Sequence, residues 1–366
     1  LSDVASAPRQ WVAGGAVADA VIARDGDAVF LAAPAAADKK VGPNLASTPI
    51  AELSLDGADR ILLGRGGEAV GAFQAAVEEW KLLTAAALSG LSREAIRLAA
   101  AYASERKAFG QFIGTYQAVS HPLAELSVDT DAGKYVVWKV IRDIADKTAD
   151  AAAEVSMALW WNSRTASLAG AQALHTFGGY GLTTEYDVHL YTLHGKAMTQ
   201  ILGDPEQLLA EAARRLYAGE TVPLPDPGEV SINFDLGDDA RALAAEVDAF
   251  FKANLTPELK AKAHYSFDGH DPGFHKKLAE AHLLFPSWPK DLGGRAAPPY
   301  AVNASRAGWE DNNWTHFAAG VTSMVGNIIR RFGSDVTVIN RSEVILRGYD
   351  ETIVEATLTA EGDRTR

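Results

Sequence analysis

Residues 75–110 read AAVEEWKLLTAAALSGLSREAIRLAAAYASERKAFG, Ala75 to Gly110. Apolar residues recur every three or four positions along the run, and Ala and Leu, both strong helix formers, fill it. A helix of that length cannot cover its own apolar stripe, so it needs partners. Three follow in the sequence. YQAVSHPLAELSVDTDAGKYVVWKVIRDIADK (116–147) and AAEVSMALWWNSRTASLAGAQALHTF (152–177) repeat the period, the second ending in the glycine stop FGGYG. DPEQLLAEAARRLYAG (204–219) adds a fourth, with Asp204 as cap and Pro205 at the first helical position. Long antiparallel amphipathic helices predict a bundle.

The residues on either side differ in character. In ADAVIARDGDAVFLAAP (18–34) two short apolar runs flank Asp25-Gly26, a hairpin signal. IAELSLDGADRILLG (50–64) repeats the theme around Asp56-Gly57, and the glycines of GRGGEAVGAF (64–73) mark the change of period. Beyond the bundle, GETVPLPDPGEV (219–230) carries three prolines and reads as a linker. Helical patterns resume in GDDARALAAEVDAFFKANL (237–255), HDPGFHKKLAEAHLLF (270–285) and NNWTHFAAGVTSMVGNIIRRFG (312–333). The last thirty or so residues mix strand and helix patterns.

Composition narrows the function classes. With 366 residues, 48% of them hydrophobic and 22% charged, the chain has room for two or three globular domains. A net charge of −13 offers no basic field for nucleic acid. The absence of cysteine removes disulfides, thiolate metal sites and a cysteine nucleophile. No run of about 18 apolar residues predicts a membrane span. The first residues lack a basic-then-apolar leader, so a cytoplasmic protein is expected. The nine histidines show no ligand spacing with a carboxylate, HDPGFH (270–275) coming nearest, and no metal site is expected.

SERKAFGQFIGTYQAVSHPLAEL (104–126) sets an Arg, then Phe-Gly, then a Gln ahead of an Ala-acidic-Leu helix. In this it resembles the acyl-CoA dehydrogenase signature. RQWVAGGAVADA (9–20) is similar to that family's Trp-containing strand beside the flavin, TFGGYGLTTEY (176–186) to its FGG-x-G segment, and GDPEQL (203–208) to its Gly-Thr-Ser turn. FPSWPKDLGG (285–294) resembles the Trp-Pro loop of its N-terminal helical domain. The fold implied is mainly α with a β-domain: helical bundles plus a partial β-barrel.

The order of these motifs departs from the family's and resembles two fused units, as in bacterial enzymes acting on steroid side-chain CoA thioesters. The implied layout is a partial middle β-domain over 1–76 and a C-terminal helical bundle over 77–219, both of a first unit. A linker over 220–230 follows. The second unit has an N-terminal helical domain over 231–335 and a C-terminal segment over 336–366. RRFGSD (330–335) runs directly into VTVINRSEV (336–344), omitting the family's middle, so either the chain is truncated or segments of a longer chain are joined. The second is favoured, and an intact mass near 38.9 kDa contradicts it.

The resemblance implies FAD as cofactor and an acyl-CoA as substrate. Dehydrogenation of a thioester needs a carboxylate for the α-proton, flavin N5 for the β-hydride, and donors to the thioester carbonyl. Arg106 alone reads as a helix-end cation complementing the dipole; within the signature it reads as a pyrophosphate contact. Phe109 and Gln117 carry over as flavin-adenine or ribose contacts, though in isolation a core Phe and a solvated Gln are the plainer readings. Gly178 and Gly179 can let backbone approach the pyrophosphate, since no Cβ intervenes, and a glycine helix stop is compatible with that. His175 stands where the family often has Gln. Trp11 is placed against the flavin ring, while Ala13 replaces the usual hydroxyl.

The base is displaced. The family's usual Glu position, before the Gly of the turn, is Leu202, and the alternative position on the first long helix is Trp80. Glu79 adjoins the latter, one residue and roughly 100° away on a helix, and Lys81 replaces a common Arg. Glu185 belongs to an element the family keeps without using it as base. LRGYDETI (346–353) resembles a remnant glycine-then-acidic turn, making Glu351, beside Asp350, the other candidate base. Two readings compete: an FAD-dependent acyl-CoA dehydrogenase, with an electron-transfer flavoprotein-like acceptor and at least a homodimer implied, and a non-catalytic half that binds FAD or scaffolds a catalytic partner unit.

Overall fold

The structure, a computed structural model, describes residues 4–262 and 271–312. The chain forms two compact units, one ending at Asn233 and one beginning at Phe234.

The first unit opens with six antiparallel strands: β1 (Arg9–Val12), β2 (Val21–Asp25), β3 (Ala28–Ala33), β4 (Lys39–Val41), β5 (Ala51–Ser54) and β6 (Asp59–Arg65). Asp25 pairs with Ala28 across a tight turn in which Gly26 takes φ +55°, as the Asp-Gly signal requires. The Asp56-Gly57 turn does something else. It carries the chain from β5, which pairs with β1 and β4, to β6, which pairs with β3, so it switches sheets instead of closing a hairpin. The result is two open three-stranded sheets, β1-β5-β4 and β2-β3-β6. The expected partial barrel is thus not a closed one among the described residues: no ladder joins the two sheets, and closure needs continuous pairing around the ring.

The bundle starts with α1 (Gly66–Glu105), 40 residues long. It begins within the glycine-rich stretch that composition assigns to the β-region up to residue 76. Gly66, at φ +79°, makes the entry turn. A positive φ is strained for any residue with a Cβ, so glycine suits this turn. A two-strand ribbon, β7 (Lys107–Ala108) with β8 (Gln111–Phe112), precedes α2 (Gln117–Asp146), α3 (Ala151–Phe177), α4 (Val188–Thr199) and α5 (Glu206–Tyr217). Asp204 Oδ1 accepts from the Glu206 N–H at 3.0 Å, a turn leading into α5, whose N-cap position is Pro205, one residue later than the sequence suggests.

Helix α3 is central and packs against α1, α2, α4 and α5. Its alanines keep it thin, and Leu88, Val140, Val155, Leu159 and Leu208 fill the space between the helices. A second cluster, with Ile96, Leu123, Leu126 and Phe177, closes the end of the bundle where α1 and α3 stop. Leu224, in the proline-rich stretch after α5, packs against the first cluster. The crossing of α3 and α4 depends on Gly170. A Cβ built there lies 2.9 Å from Thr192 Cα, and the Thr192 hydroxyl donates to the Gly170 carbonyl at 2.8 Å. Gly170→Ala must push two backbones apart, so we expect a loss of about 1–3 kcal/mol in urea unfolding with an unchanged m-value.

The second unit contains α6 (Asp238–Asn254), α7 (Pro257–Lys262), α8 (Pro272–Glu280) and α9 (Pro299–Asp311) around Leu243, Val247, Phe251, Phe274, Leu278 and Trp309. Asp271 caps α8 by accepting from the Phe274 N–H at 2.9 Å. In the FPSWPKDLGG loop, Phe285 and Trp288 stack at 4.6 Å. Residues 313–335 of the expected second helical domain, the segment 336–366 and Glu351 lie outside the described residues. Among the described residues, no helix is long and apolar enough to cross a membrane.

Candidate functional site

At the end of the bundle, the end of α1, Ile113 just after β8, and the terminus of α3 with the turn that follows it surround a cavity of about 470 Å³. Arg106 follows the last residue of α1, its N–H bonded to the Tyr102 carbonyl at 2.9 Å and its own carbonyl held by the Ile113 N–H at 2.8 Å. Tyr102, one helical turn before Arg106, stacks on Phe177 at 4.1 Å, and both rings wall the cavity. Helix α3 stops at Phe177 because Gly178 takes φ +59° with ψ −134°, a conformation open to glycine. The chain then turns through a short 3-10 segment, Gly178–Leu182, which brings Tyr180 under Arg106, its ring 5.6 Å from the guanidinium carbon.

The three glycines of FGGYG do different jobs. Gly178 supplies the turn. Gly181 permits close approach, since a Cβ there would sit 2.7 Å from the Leu174 carbonyl oxygen. Gly179 lines the cavity, and a Cβ built on it meets nothing within 4 Å, so its backbone faces open space. Arg106 is exposed and has no carboxylate partner among the described residues. An unneutralised guanidinium over an aromatic-walled hollow, with open glycine backbone opposite, fits a diphosphate. These residues therefore fit the pyrophosphate of the FAD that the resemblance implies.

Arg106, Gly178 and Gly179 thus meet in one cavity, and the other expected cofactor contacts do not join them there. Phe109 stands 97% exposed at the tip of the β7–β8 ribbon with φ +52°. Gln117 is the exposed first residue of α2, and His175 is exposed in the last turn of α3. Trp11 is half exposed on β1, its ring against Gly42. Sequence reasoning missed Tyr102 and Tyr180. The signal was present: Tyr102 lies four residues before Arg106, hence on the same helix face, and Tyr180 sits inside the FGGYG segment itself.

The two positions where a base was sought differ from each other. Leu202, partly buried, packs against the main core cluster. Trp80 is 43% exposed on α1, and Glu79 beside it is also exposed. Glu78, in contrast, is buried within a network of four charges. Lys81 Nζ donates to Glu78 Oε1 at 2.7 Å and to Glu211 Oε1 at 2.6 Å. Arg215 grips both oxygens of Glu78 at 2.8 Å each, donates to the Ala152 carbonyl at 2.6 Å and the Ser156 hydroxyl at 3.0 Å, and also pairs with Glu211. Burial works to lower the Arg215 pKa, but the Glu78 hydrogen bonds and the charges of Glu78 and Glu211 outweigh it and hold the group above its usual value. Two cations and two anions cancel, so the network ties α5 to α1 and α3 without leaving net buried charge.

Comparison with known proteins bears on this bundle directly. Residues 69–217 match the family described as acyl-CoA dehydrogenase, C-terminal domain. The chain is 30% identical over 209 residues to the acyl-CoA dehydrogenase IpdE2 of Mycolicibacterium smegmatis, covering 57% of this chain and 61% of that protein. It is 28% identical over 256 residues to the acyl-CoA dehydrogenase FadE34 of Mycobacterium tuberculosis, covering 69% of this chain and 32% of that protein. The chain therefore spans about three fifths of the length of the first relative and a third of the second, which is more than twice as long as this chain. The crystal structure of an acyl-CoA dehydrogenase from Geobacillus kaustophilus aligns with a TM-score of 0.51 at 23% identity, over 57% of this chain and 60% of that one, and shares the fold of the aligned part. The family match and the two relatives thus make residues 69–217 similar to the C-terminal domain of acyl-CoA dehydrogenases.

Proposed function

We propose that the chain takes part in FAD-dependent α,β-dehydrogenation of an acyl-CoA thioester. The observation that carries this reading is the cavity in which Arg106, without a carboxylate partner among the described residues, faces the open backbone of Gly178 and Gly179. Arg106 and the glycine backbone would hold the diphosphate, and Tyr102 and Phe177 would exclude water from one side of it. FAD, when bound, supplies the hydride acceptor. A bulky, steroid-derived acyl group is the substrate class we favour, since the degenerate, paired units that the motif order suggests would suit an enlarged pocket. An electron-transfer flavoprotein-like acceptor and a dimer or higher oligomer complete the reading.

The α-proton must go to a carboxylate, and neither Leu202 nor Trp80 can accept it. Glu351 and Glu79 are the candidates. Glu79 is exposed beside Trp80, free of the ion pairs that lock Glu78 one residue earlier. Glu79→Gln and Glu351→Gln are to be compared by anaerobic reduction of the bound flavin with acyl-CoA. The variant of the true base is expected to retain flavin and lose reduction by about two to four orders of magnitude. Full reduction in both variants would remove both candidates.

A specific observation also favours the second reading, a non-catalytic half that binds FAD or scaffolds a catalytic unit: Leu202 is built into the core, so its position is given over to packing. The length of the FadE34 relative is in keeping with a fused partner unit that supplies the acid. Flavin that stays bound to the purified chain and is not bleached by any acyl-CoA supports this half-enzyme reading over the first.

A further inference from the structure

Arg106 sits on a long, exposed side chain, and a ligand that captures such a side chain must order it at the moment of binding. The Tyr180 ring lies beneath the guanidinium at 5.6 Å, and Tyr180 is itself fixed from two sides. Its carbonyl accepts from the Thr183 N–H at 3.2 Å and the Thr183 hydroxyl at 2.9 Å, while Gly178 and Gly181 fix the backbone path on either flank. Its ring meets the edge of Tyr186 at 6.0 Å; Tyr186 meets Phe177 at 5.0 Å; Phe177, buried, stacks on Tyr102. A chain of aromatic contacts thus runs from the buried end of α3 to the face under Arg106.

We propose that Tyr180 is a positioning residue that preorganises Arg106 over the cavity, so that the guanidinium meets a diphosphate ligand without first being ordered. The inference rests on the reading of this cavity as a diphosphate site. Tyr180 acts through Arg106, by the attraction of a cation to an aromatic face. Its hydroxyl is not required.

The test is a double-mutant cycle on the full chain stripped of flavin. FAD affinity is read by quenching of flavin fluorescence, and inorganic pyrophosphate is run as competitor. Tyr180→Leu is expected to weaken FAD and pyrophosphate binding roughly two- to fivefold, the size of an exposed cation–π contact. Tyr180→Phe keeps the ring face and is expected to bind as the parent does. In an Arg106→Gln background, Tyr180→Leu is expected to cause no further weakening, because the group it positions is gone. Thermal unfolding of each variant controls for folding, which is favoured by the 43% exposure of Tyr180. Tyr180→Leu binding like the parent, or losing the same factor with and without Arg106, overturns the inference while leaving the diphosphate site standing. A parent chain that binds neither FAD nor pyrophosphate overturns the functional reading and this inference with it.

Discussion

Replacing Arg215 with leucine is expected to destabilise the helical unit by about 3–5 kcal/mol, the cost of breaking a buried ion pair by removing one partner. Arg215 is the hub of the charge network: its side chain is 4% exposed, and it meets Glu78, Glu211, Ala152 and Ser156. Leucine leaves Glu78, only 3% exposed, with Lys81 as its one remaining cation partner in the network, and leaves the Ala152 carbonyl without this donor. Urea unfolding monitored by circular dichroism measures the loss. A companion variant separates charge from shape. Converting all four members together, Glu78→Leu, Lys81→Met, Glu211→Leu and Arg215→Met, removes every buried charge at once and is expected to fall far closer to the parent than the single change does. A single Arg215→Leu within about 0.5 kcal/mol of the parent, the range of ordinary surface changes, would show that the network contributes nothing.

Arg106→Gln carries the second large effect, on ligand affinity and not on folding. Hydrogen bonds to charged groups contribute about 1.5–3 kcal/mol, so FAD retention is expected to weaken by roughly ten- to a hundredfold. Arg106 is exposed, and its recorded side-chain contact is the Tyr180 face, so unfolding is expected to be unchanged. Arg106→Lys keeps the charge but loses the planar fork that matches phosphate geometry, and should fall between the two. Equilibrium dialysis of FAD against each variant measures the series. Unchanged retention in Arg106→Gln places the diphosphate elsewhere.

The sequence made the bundle legible because its signals are local. Apolar spacing of three to four residues marks α1, α2 and α3, and Asp204-Pro205 marks the start of α5. Helix α4 escaped notice: Val188–Thr199 mixes His, Tyr and Thr in a short element that stays helical by packing on α3. Asp56-Gly57 has the same turn chemistry as Asp25-Gly26, yet one switches sheets and the other closes a hairpin. Turn residues set the bend, but only partner strands decide which sheet receives the next one. The charge network was equally out of reach, because Glu78 and Arg215 are 137 positions apart. Leu202 is the instructive residue at the site. The absence of a carboxylate there is plain in the sequence, and the structure adds that the side chain has joined the core.

The central claim, that this chain belongs to a flavin-holding acyl-CoA dehydrogenating site, is tested most directly by anaerobic titration of the purified full chain with acyl-CoA thioesters, steroid side-chain ones included. Bound flavin is expected, with an absorbance near its visible maximum that bleaches on addition of the right thioester. Flavin that no thioester bleaches favours the non-catalytic half, and a chain that carries no flavin after reconstitution contradicts the flavin site itself.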